Sequence, residues 1–176
     1  MKKESIWDKN TKLFMVLIVI LVILTQTVTI FISNNIKGEN RVLINNAINI
    51  TYAKNTGGAF GIGENGTLSF IFTSIVILGI IVHFIVSQRE KMDITTVIAL
   101  SFIVSGGISN LIDRIAKGAV IDYIDISQII KFPLFNLADL LIVIGWILLV
   151  ASVIKYEIVN SRKKKELEKE LEKNRR

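Results

Sequence analysis

Residues 13–36 read LFMVLIVILVILTQTVTIFISNNI, and none of these 24 residues is charged. Three later stretches, 65–88, 94–112 and 140–154, are uncharged in the same way. A helix needs about 20 predominantly apolar residues to cross the hydrocarbon core of a bilayer. The first three stretches are long enough alone, and we expect the fourth to gain length from residues 132–139. The sequence therefore predicts four transmembrane helices.

The composition excludes several classes of protein. The chain is 51% hydrophobic with a mean hydropathy of +0.55, which is too apolar for an ordinary soluble domain. It has no cysteine, so disulfides, thiolate metal sites and a cysteine nucleophile are excluded. The only histidine, His83, lies inside the second predicted helix. The net charge of +6 comes from lysines and arginines in the segments that flank the predicted helices. We therefore attribute this charge to membrane topology and expect no nucleic-acid partner.

The lysines and arginines also predict the orientation of the chain. Fifteen of them lie in segments 1–12, 88–93 and 155–176, whereas six lie in segments 34–66 and 113–137. Cytoplasmic segments of membrane proteins carry the excess of positive charge. We therefore expect a multi-pass membrane protein with both termini in the cytoplasm.

The fold class predicted is an all-α membrane protein with four transmembrane helices and a small external β-rich subdomain. Residues 48–52 read INITY, which alternates apolar and polar side chains as a strand does, and glycines follow from residue 57. Residues 120–124 form a second short extended candidate. We assign residues 1–158 to the four-helix domain, with the external β-rich part at about 34–66. Residues 159–176 are a charged cytoplasmic tail, either a solvated helix or disordered.

Carboxylates at the predicted membrane boundary are the first candidates for function, because a carboxylate is costly in lipid. Asp139 precedes Lys155 by sixteen residues, or about 24 Å along a helix, in a hydrocarbon core about 30 Å thick. This spacing puts Asp139 a few Å inside the outer boundary. The string Asn136-Leu-Ala-Asp139 is also typical of a helix N-terminus, with Asn as the cap and an acid three residues later. Both interpretations are compatible, since a cap can hold a catalytic acid rigidly.

A second carboxylate, Asp122, is flanked by apolar residues in the string Val-Ile-Asp-Tyr-Ile, which indicates burial. If it lay close to Asp139, the two groups would share a proton, because neighbouring carboxylates do not both ionise easily. The ionised member could take a proton from water and the protonated member could donate to a peptide carbonyl. We therefore expect peptide hydrolysis without metal or cofactor. Asp113 and Arg114 are interpreted as an ion pair at a helix end, with Asn110 bonded to a neighbouring helix.

Four strings in this order resemble the motifs of lipoprotein signal peptidase, the type II signal peptidase of bacteria. The resemblance covers residues 13–155 and implies a membrane aspartyl endopeptidase. Its substrates would be prolipoproteins whose cysteine carries a diacylglyceryl group, and it would cut just before that cysteine. The strings are Asn55-Thr-Gly57-Gly-Ala-Phe60, Asn110-Leu-Ile-Asp113-Arg114, Ile121-Asp122-Tyr123 and Phe135-Asn-Leu-Ala-Asp139.

The resemblance also implies roles for individual residues. Asp122 and Asp139 would be the catalytic pair, and Asp113 would support Arg114. The external β-rich part would correspond to the family's cradle, which rests on the membrane lipid and helps to hold substrate. Globomycin-type cyclic peptides would be inhibitors. The substrate site would be lined by Asn55, Gly57, Asn110, Arg114 and Asn136.

The chain departs from the family pattern in its first span. Family members usually carry Asp-Gln followed by a Lys, whereas this chain reads Thr25-Gln26-Thr27-Val28-Thr29. Ser109 stands where glycine is common, and Leu140 where serine is common. The missing charges leave a divergent, non-catalytic paralogue as one alternative. A small proton-coupled transporter is the other alternative, but the sequence shows neither the inverted repeats nor the broken helices typical of transporters.

Overall fold

The computed structural model describes residues 9–37, 41–57, 66–88 and 92–174. Four helices in these ranges are long and apolar enough to cross a membrane, which confirms the predicted multi-pass architecture. Their bounds are α1 Lys9–Asn35, α2 Thr67–Gln88, α3 Ile94–Lys117 and α4 Leu137–Asn174.

Helix α3 is the centre of the bundle, because α1, α2 and α4 each pack against it. Most of its apolar span is buried, whereas the other three helices expose most of theirs. Two glycines allow α3 and α4 to approach closely. A Cβ on Gly106 would lie 2.4 Å from the carbonyl oxygen of Ala138, and a Cβ on Gly145 would lie 2.8 Å from that of Ala99. Small residues commonly permit such backbone contact between transmembrane helices.

A small antiparallel sheet covers one end of the bundle, which we call the sheet end. Its strands are β1 Arg41–Ile44, β2 Ile48–Asn55 and β3 Val120–Asp125, in the order β1-β2-β3. The strands predicted at 48–52 and 120–124 are therefore present. The sequence did not indicate β1, whose side chains are all exposed. Because β3 belongs to this sheet, the β-rich part extends beyond residues 34–66 and joins both connections at this end.

The start of α4 differs from the prediction. We expected the fourth span to gain length from residues 132–139, and for residues 132–136 this was wrong. Phe135 is extended and its carbonyl oxygen accepts the backbone N–H groups of Tyr123 and Ile124, so this segment pairs with β3 instead of coiling. The helix begins at Leu137 and gains its length at the other end, where it continues through the charged tail to Asn174.

A glycine turn connects α3 to β3. Gly118 has φ +72°, and its N–H donates to the carbonyl oxygen of Arg114. Glycine ends helices in this left-handed conformation because it has no Cβ to clash. This turn carries the chain from the last turn of α3 into the strand that holds Asp122.

Candidate active site

A cavity of about 780 Å³ opens at the sheet end between α3, the start of α4 and strands β2 and β3. Most of the residues singled out from the sequence lie on its wall. Asp113 and Asn136 are buried behind it. The polar part of the wall consists of Asn55, Gly57, Asn110, Arg114, Asp122 and Asp139 together with Lys54 and Thr56, and the apolar part includes Phe132, Leu134, Phe135, Leu140, Ile142 and Val143.

Asp122 enters the cavity from the middle of β3, and only 3% of its surface is exposed. Its Oδ2 accepts a hydrogen bond from Asn55 Nδ2 at 2.9 Å, and its Oδ1 accepts one from Asn136 Nδ2 at 2.9 Å. Burial, together with the nearby Asp139 charge, raises the pKa of the Asp122 carboxyl to about 6, while the two amide bonds and the Arg114 charge oppose the increase. The site thus makes this carboxyl easier to keep protonated.

Asp139 lies in the first turn of α4, where it caps the helix. Its Oδ1 accepts from Asn110 Nδ2 at 2.7 Å, and its Oδ2 accepts from the backbone N–H of Asn136 at 3.1 Å. Its own N–H donates to Asn136 Oδ1 at 2.9 Å. This reciprocal pair is a capping box, so the helix-start interpretation is confirmed. The same contacts hold the carboxylate at the cavity wall.

Asn136 connects the two aspartates from behind. Its Nδ2 donates both to Asp122 Oδ1 and to Asn110 Oδ1, the latter at 3.1 Å, while its Oδ1 accepts the N–H of Asp139. The side chain is 2% exposed. The resemblance implied contact with substrate, but the structure places this amide between the acids and away from the cavity surface.

Asp113 forms its ion pair with Lys117, with 2.8 Å between Oδ1 and Nζ, and the predicted pair with Arg114 was wrong. The reason is helix geometry, since residues four apart share a face and adjacent residues do not. The other oxygen, Oδ2, accepts the backbone N–H of Ile121 at 3.3 Å. Asp113 therefore holds the residue that precedes Asp122.

Arg114 is held by the loop after β2 and by α2. Its Nη2 donates to the carbonyl oxygen of Gly57 at 3.0 Å, and its guanidinium carbon lies 5.2 Å from the ring centre of Phe70. Asn55 fixes the same loop, because its Oδ1 accepts the Gly57 N–H at 3.0 Å. Within the described part of the chain, the buried Nε of Arg114 has no hydrogen-bond partner. The guanidinium thus keeps donor capacity beside the carboxylates.

Several residues of the site were not predicted from the sequence. Phe70 and the apolar wall lie in apolar stretches, where nothing local distinguishes a cavity wall from a lipid-facing surface. Tyr123 was visible beside Asp122, but its hydroxyl accepts the N–H of Leu137 at 3.1 Å, a contact that only packing creates. His83 is exposed on α2 and does not line the cavity. Among the described residues, no three His, Cys, Asp or Glu side chains cluster as a metal site would require.

This arrangement is suited to acid–base chemistry. Two carboxyl groups face one cavity, and every one of their four oxygens accepts a hydrogen bond from a neutral N–H. Their mutual repulsion favours one shared proton, which supplies one acid and one base at the same site.

Known proteins resemble this chain over most of its length. The sequence model of the family described as Signal peptidase (SPase) II matches residues 17–155. The lipoprotein signal peptidase of Clostridioides difficile is 32% identical over 146 residues, covering 82% of this chain and 97% of that protein. That of Streptococcus pneumoniae is 33% identical over 152 residues, covering 85% and 97%. Two solved structures described as bacterial membrane enzymes, both 30% identical, have TM-scores of 0.76 and 0.74 and match 82% of this chain and 88% and 94% of theirs.

Proposed function

The chain belongs to the signal peptidase II family, and we propose that Asp122 and Asp139 are the catalytic pair of this aspartic endopeptidase. The enzyme removes signal peptides from prolipoproteins. The observation that carries the assignment is that both carboxyl groups face one cavity and are joined through the amides of Asn110 and Asn136. No feature of the described structure favours the transporter alternative.

The proposed reaction needs one proton on the pair. The ionised carboxylate accepts a proton from a water molecule as the water oxygen attacks the scissile carbonyl carbon. The protonated carboxyl donates its proton to the carbonyl oxygen, which gives a neutral tetrahedral diol. When the C–N bond breaks, the proton taken from water passes to the leaving amine. The diol's second hydroxyl proton returns to the other carboxylate as the new carboxyl group forms.

Asn55, Gly57, Asn110 and Arg114 are proposed to hold the substrate backbone across this pair. Arg114 is the best placed of them, because it lines the cavity and its guanidinium carries a positive charge beside both carboxyl groups. The Phe70 ring packs near the guanidinium and the Gly57 carbonyl accepts one of its N–H groups, and together these two contacts limit its reorientation.

We propose that the prolipoprotein presents a cysteine carrying a diacylglyceryl group, and that cleavage occurs just before this cysteine. The apolar wall supports this proposal, because Leu140, Ile142 and Val143 continue from the cavity along α4. Leu140 and Val143 are 38% and 54% exposed, so acyl chains can leave the cavity directly into lipid. The same cavity would accept globomycin-type cyclic peptides.

The orientation proposed places both termini in the cytoplasm and the sheet end at the outer leaflet of the cell membrane. The distribution of lysine and arginine supports it. Exposed apolar side chains in the β3–α4 connection support contact with membrane lipid: Ile129 is 66% exposed, Ile130 57% and Phe132 44%. Outside a membrane protein's lipid-facing surface, such a patch would be unfavourable.

Cleavage of a diacylglyceryl-modified prolipoprotein by the purified protein tests the proposal. Asp122→Asn and Asp139→Asn should each lower the rate of signal-peptide release at least about 100-fold, because each removes an acid–base group. Asp125→Asn is the matched control: it lies on the same strand, bonds to Ser127 and does not line the cavity. Circular dichroism and thermal unfolding would verify that all variants fold.

Two outcomes would contradict the proposal. Full activity in either Asp122→Asn or Asp139→Asn would remove that residue from the catalytic pair. No cleavage by the wild-type protein would instead favour the non-catalytic paralogue.

A further inference from the structure

Polar side chains on one face of α1 point into the bundle near the sheet end. Thr25 and Thr29 are 1% and 5% exposed, and Gln26 is half-buried between them. Polar groups in a transmembrane helix are costly unless they find partners inside the protein. All three have partners here, and two of the three lead to the catalytic residues.

The first connection runs from Gln26 to the residue before Asp122. Gln26 Nε2 donates to the carbonyl oxygen of Ser109 at 3.0 Å and to Asp113 Oδ1 at 3.3 Å. Asp113 in turn accepts the backbone N–H of Ile121 through its other oxygen. Since Ile121 is buried and adjacent to Asp122, this series of bonds restrains β3 on the N-terminal side of the catalytic carboxylate.

The second connection runs from Thr29 to the start of α4. The Thr29 side chain lies beside the hydroxyl of Tyr123, and that hydroxyl accepts the backbone N–H of Leu137 at 3.1 Å. Tyr123 follows Asp122, and Leu137 is the first residue of the helix that carries Asp139. A single buried hydroxyl therefore contacts the strand of one catalytic acid and the helix of the other.

We propose that Gln26 and Thr29 are positioning residues. Their uncharged side chains contact the elements that carry Asp122 and Asp139 and so keep these two carboxyl groups at a fixed position relative to each other. This inference rests on the proposed function of the two aspartates. In this chain Lys117 already neutralises Asp113, so α1 needs to supply only neutral donors, which avoids burying further ions.

Thr25 offers a matched control on the same helix. It is as buried as Thr29, and its hydroxyl bonds to the Ser109 hydroxyl and to the carbonyl oxygens of Leu21 and Val22. None of these partners belongs to β3 or to the start of α4. Thr25→Val and Thr29→Val remove the same atom from equally buried sites, but only the second removes a contact with the catalytic elements.

The test combines kinetics with hydrogen exchange on the full-length protein. Thr29→Val and Gln26→Met should each lower kcat about tenfold, with KM within about twofold, because small displacements of reacting groups slow chemistry more than binding. Thr29→Ser, which keeps the hydroxyl, should restore kcat, and Thr25→Val should leave it unchanged. Backbone exchange should accelerate at Ile121 in Gln26→Met and at Leu137 in Thr29→Val, but at neither position in Thr25→Val.

The inference is overturned if Thr29→Val and Gln26→Met keep the wild-type kcat, or if Thr25→Val loses as much as they do. Unchanged exchange at Ile121 and Leu137 would overturn it as well, and this measurement does not depend on activity. A wild-type protein that fails to cleave would refute the proposed function, while the exchange rates would still decide whether the two contacts hold these elements.

Discussion

At the scale of single residues, Asn136 organises the site with one neutral side chain. Its amide donates toward Asp122 and Asn110, and its carbonyl accepts from the first turn of α4. A side-chain amide does not ionise at ordinary pH, so it links the two acids without entering their titration. If Asp122 and Asp139 are the proposed catalytic pair, the reaction should depend on pH as a coupled pair of carboxyl groups does.

The pH dependence of kcat/KM reports the protonation of this pair in the free enzyme. The pKa of Asp122 is raised to about 6, so the pair keeps a proton below that pH and loses it above. We expect kcat/KM to fall as the pH rises through about 6, because no acid remains, and to fall again at low pH, where no base remains. Initial rates between pH 4 and 8 measure this.

Asn55→Leu should move the alkaline limb of that profile to higher pH. The Asn55 amide bond lowers the pKa of Asp122, and leucine removes the bond without opening space for water. If the alkaline limb of the kcat/KM profile stayed in place in Asn55→Leu, or moved to lower pH, the ionisation of Asp122 would not be what causes that limb.

At the scale of elements, the contact between α3 and α4 positions Asp139. Gly106 lets the two backbones meet at Ala138, the residue directly before Asp139. The hydrogen bond from Asn110 to Asp139 crosses the same interface one turn further along α3. The position of the Asp139 carboxylate therefore depends on how closely the two helices approach, as well as on the hydrogen bonds at the start of α4.

Gly106→Ala should lower both stability and activity. The new Cβ would lie 2.4 Å from a backbone oxygen, so α4 must shift, and such overpacking costs about 1–3 kcal/mol. We expect a lower Tm and a reduced kcat. Gly79→Ala on α2 is the control, because its Cβ would meet nothing within 4 Å and alanine is the better helix former. Equal Tm and kcat in the two variants would contradict this account.

At the scale of the whole molecule, the cavity lies at one end of a bundle of four helices that are long and apolar enough to cross a membrane. The sheet, the β3–α4 connection and the start of α4 surround this cavity, and the apolar wall leads from it toward lipid. The charged tail continues α4 as an exposed helix at the opposite end. This shape suits a peptide that remains anchored in the bilayer while it is cut.

Insertion of the β3–α4 connection into lipid can be measured directly, since the chain has no cysteine to interfere with labelling. A fluorophore on Ile129→Cys should show blue-shifted emission in nanodiscs and be quenched by lipids labelled near the headgroup. Ile147→Cys lies on the apolar outer face of α4 and is the reference for a lipid environment. Glu166→Cys lies on the charged tail and is the reference for an aqueous environment. Emission at Ile129 equal to that at Glu166 would refute the lipid contact.

The sequence by itself determined the four spans and the strands around residues 48–52 and 120–124, and it singled out the carboxylates that we propose to react. These features depend on local patterns: apolar length, alternation, and carboxylates beside lipid. It could not determine that residues 132–136 pair with β3, because a short apolar run around a proline is compatible with either a helix start or an extended segment.

Only the tertiary structure decided the partners of the polar groups. Asp113 selects Lys117 and Ile121, Asn136 lies between two acids, and Gln26 reaches a carboxylate 87 residues away. Such contacts join parts of the chain that no local pattern relates, because each depends on the distance and rotation at which helices and strands pack. Local pattern thus identified which groups could react, and packing decided which of them meet.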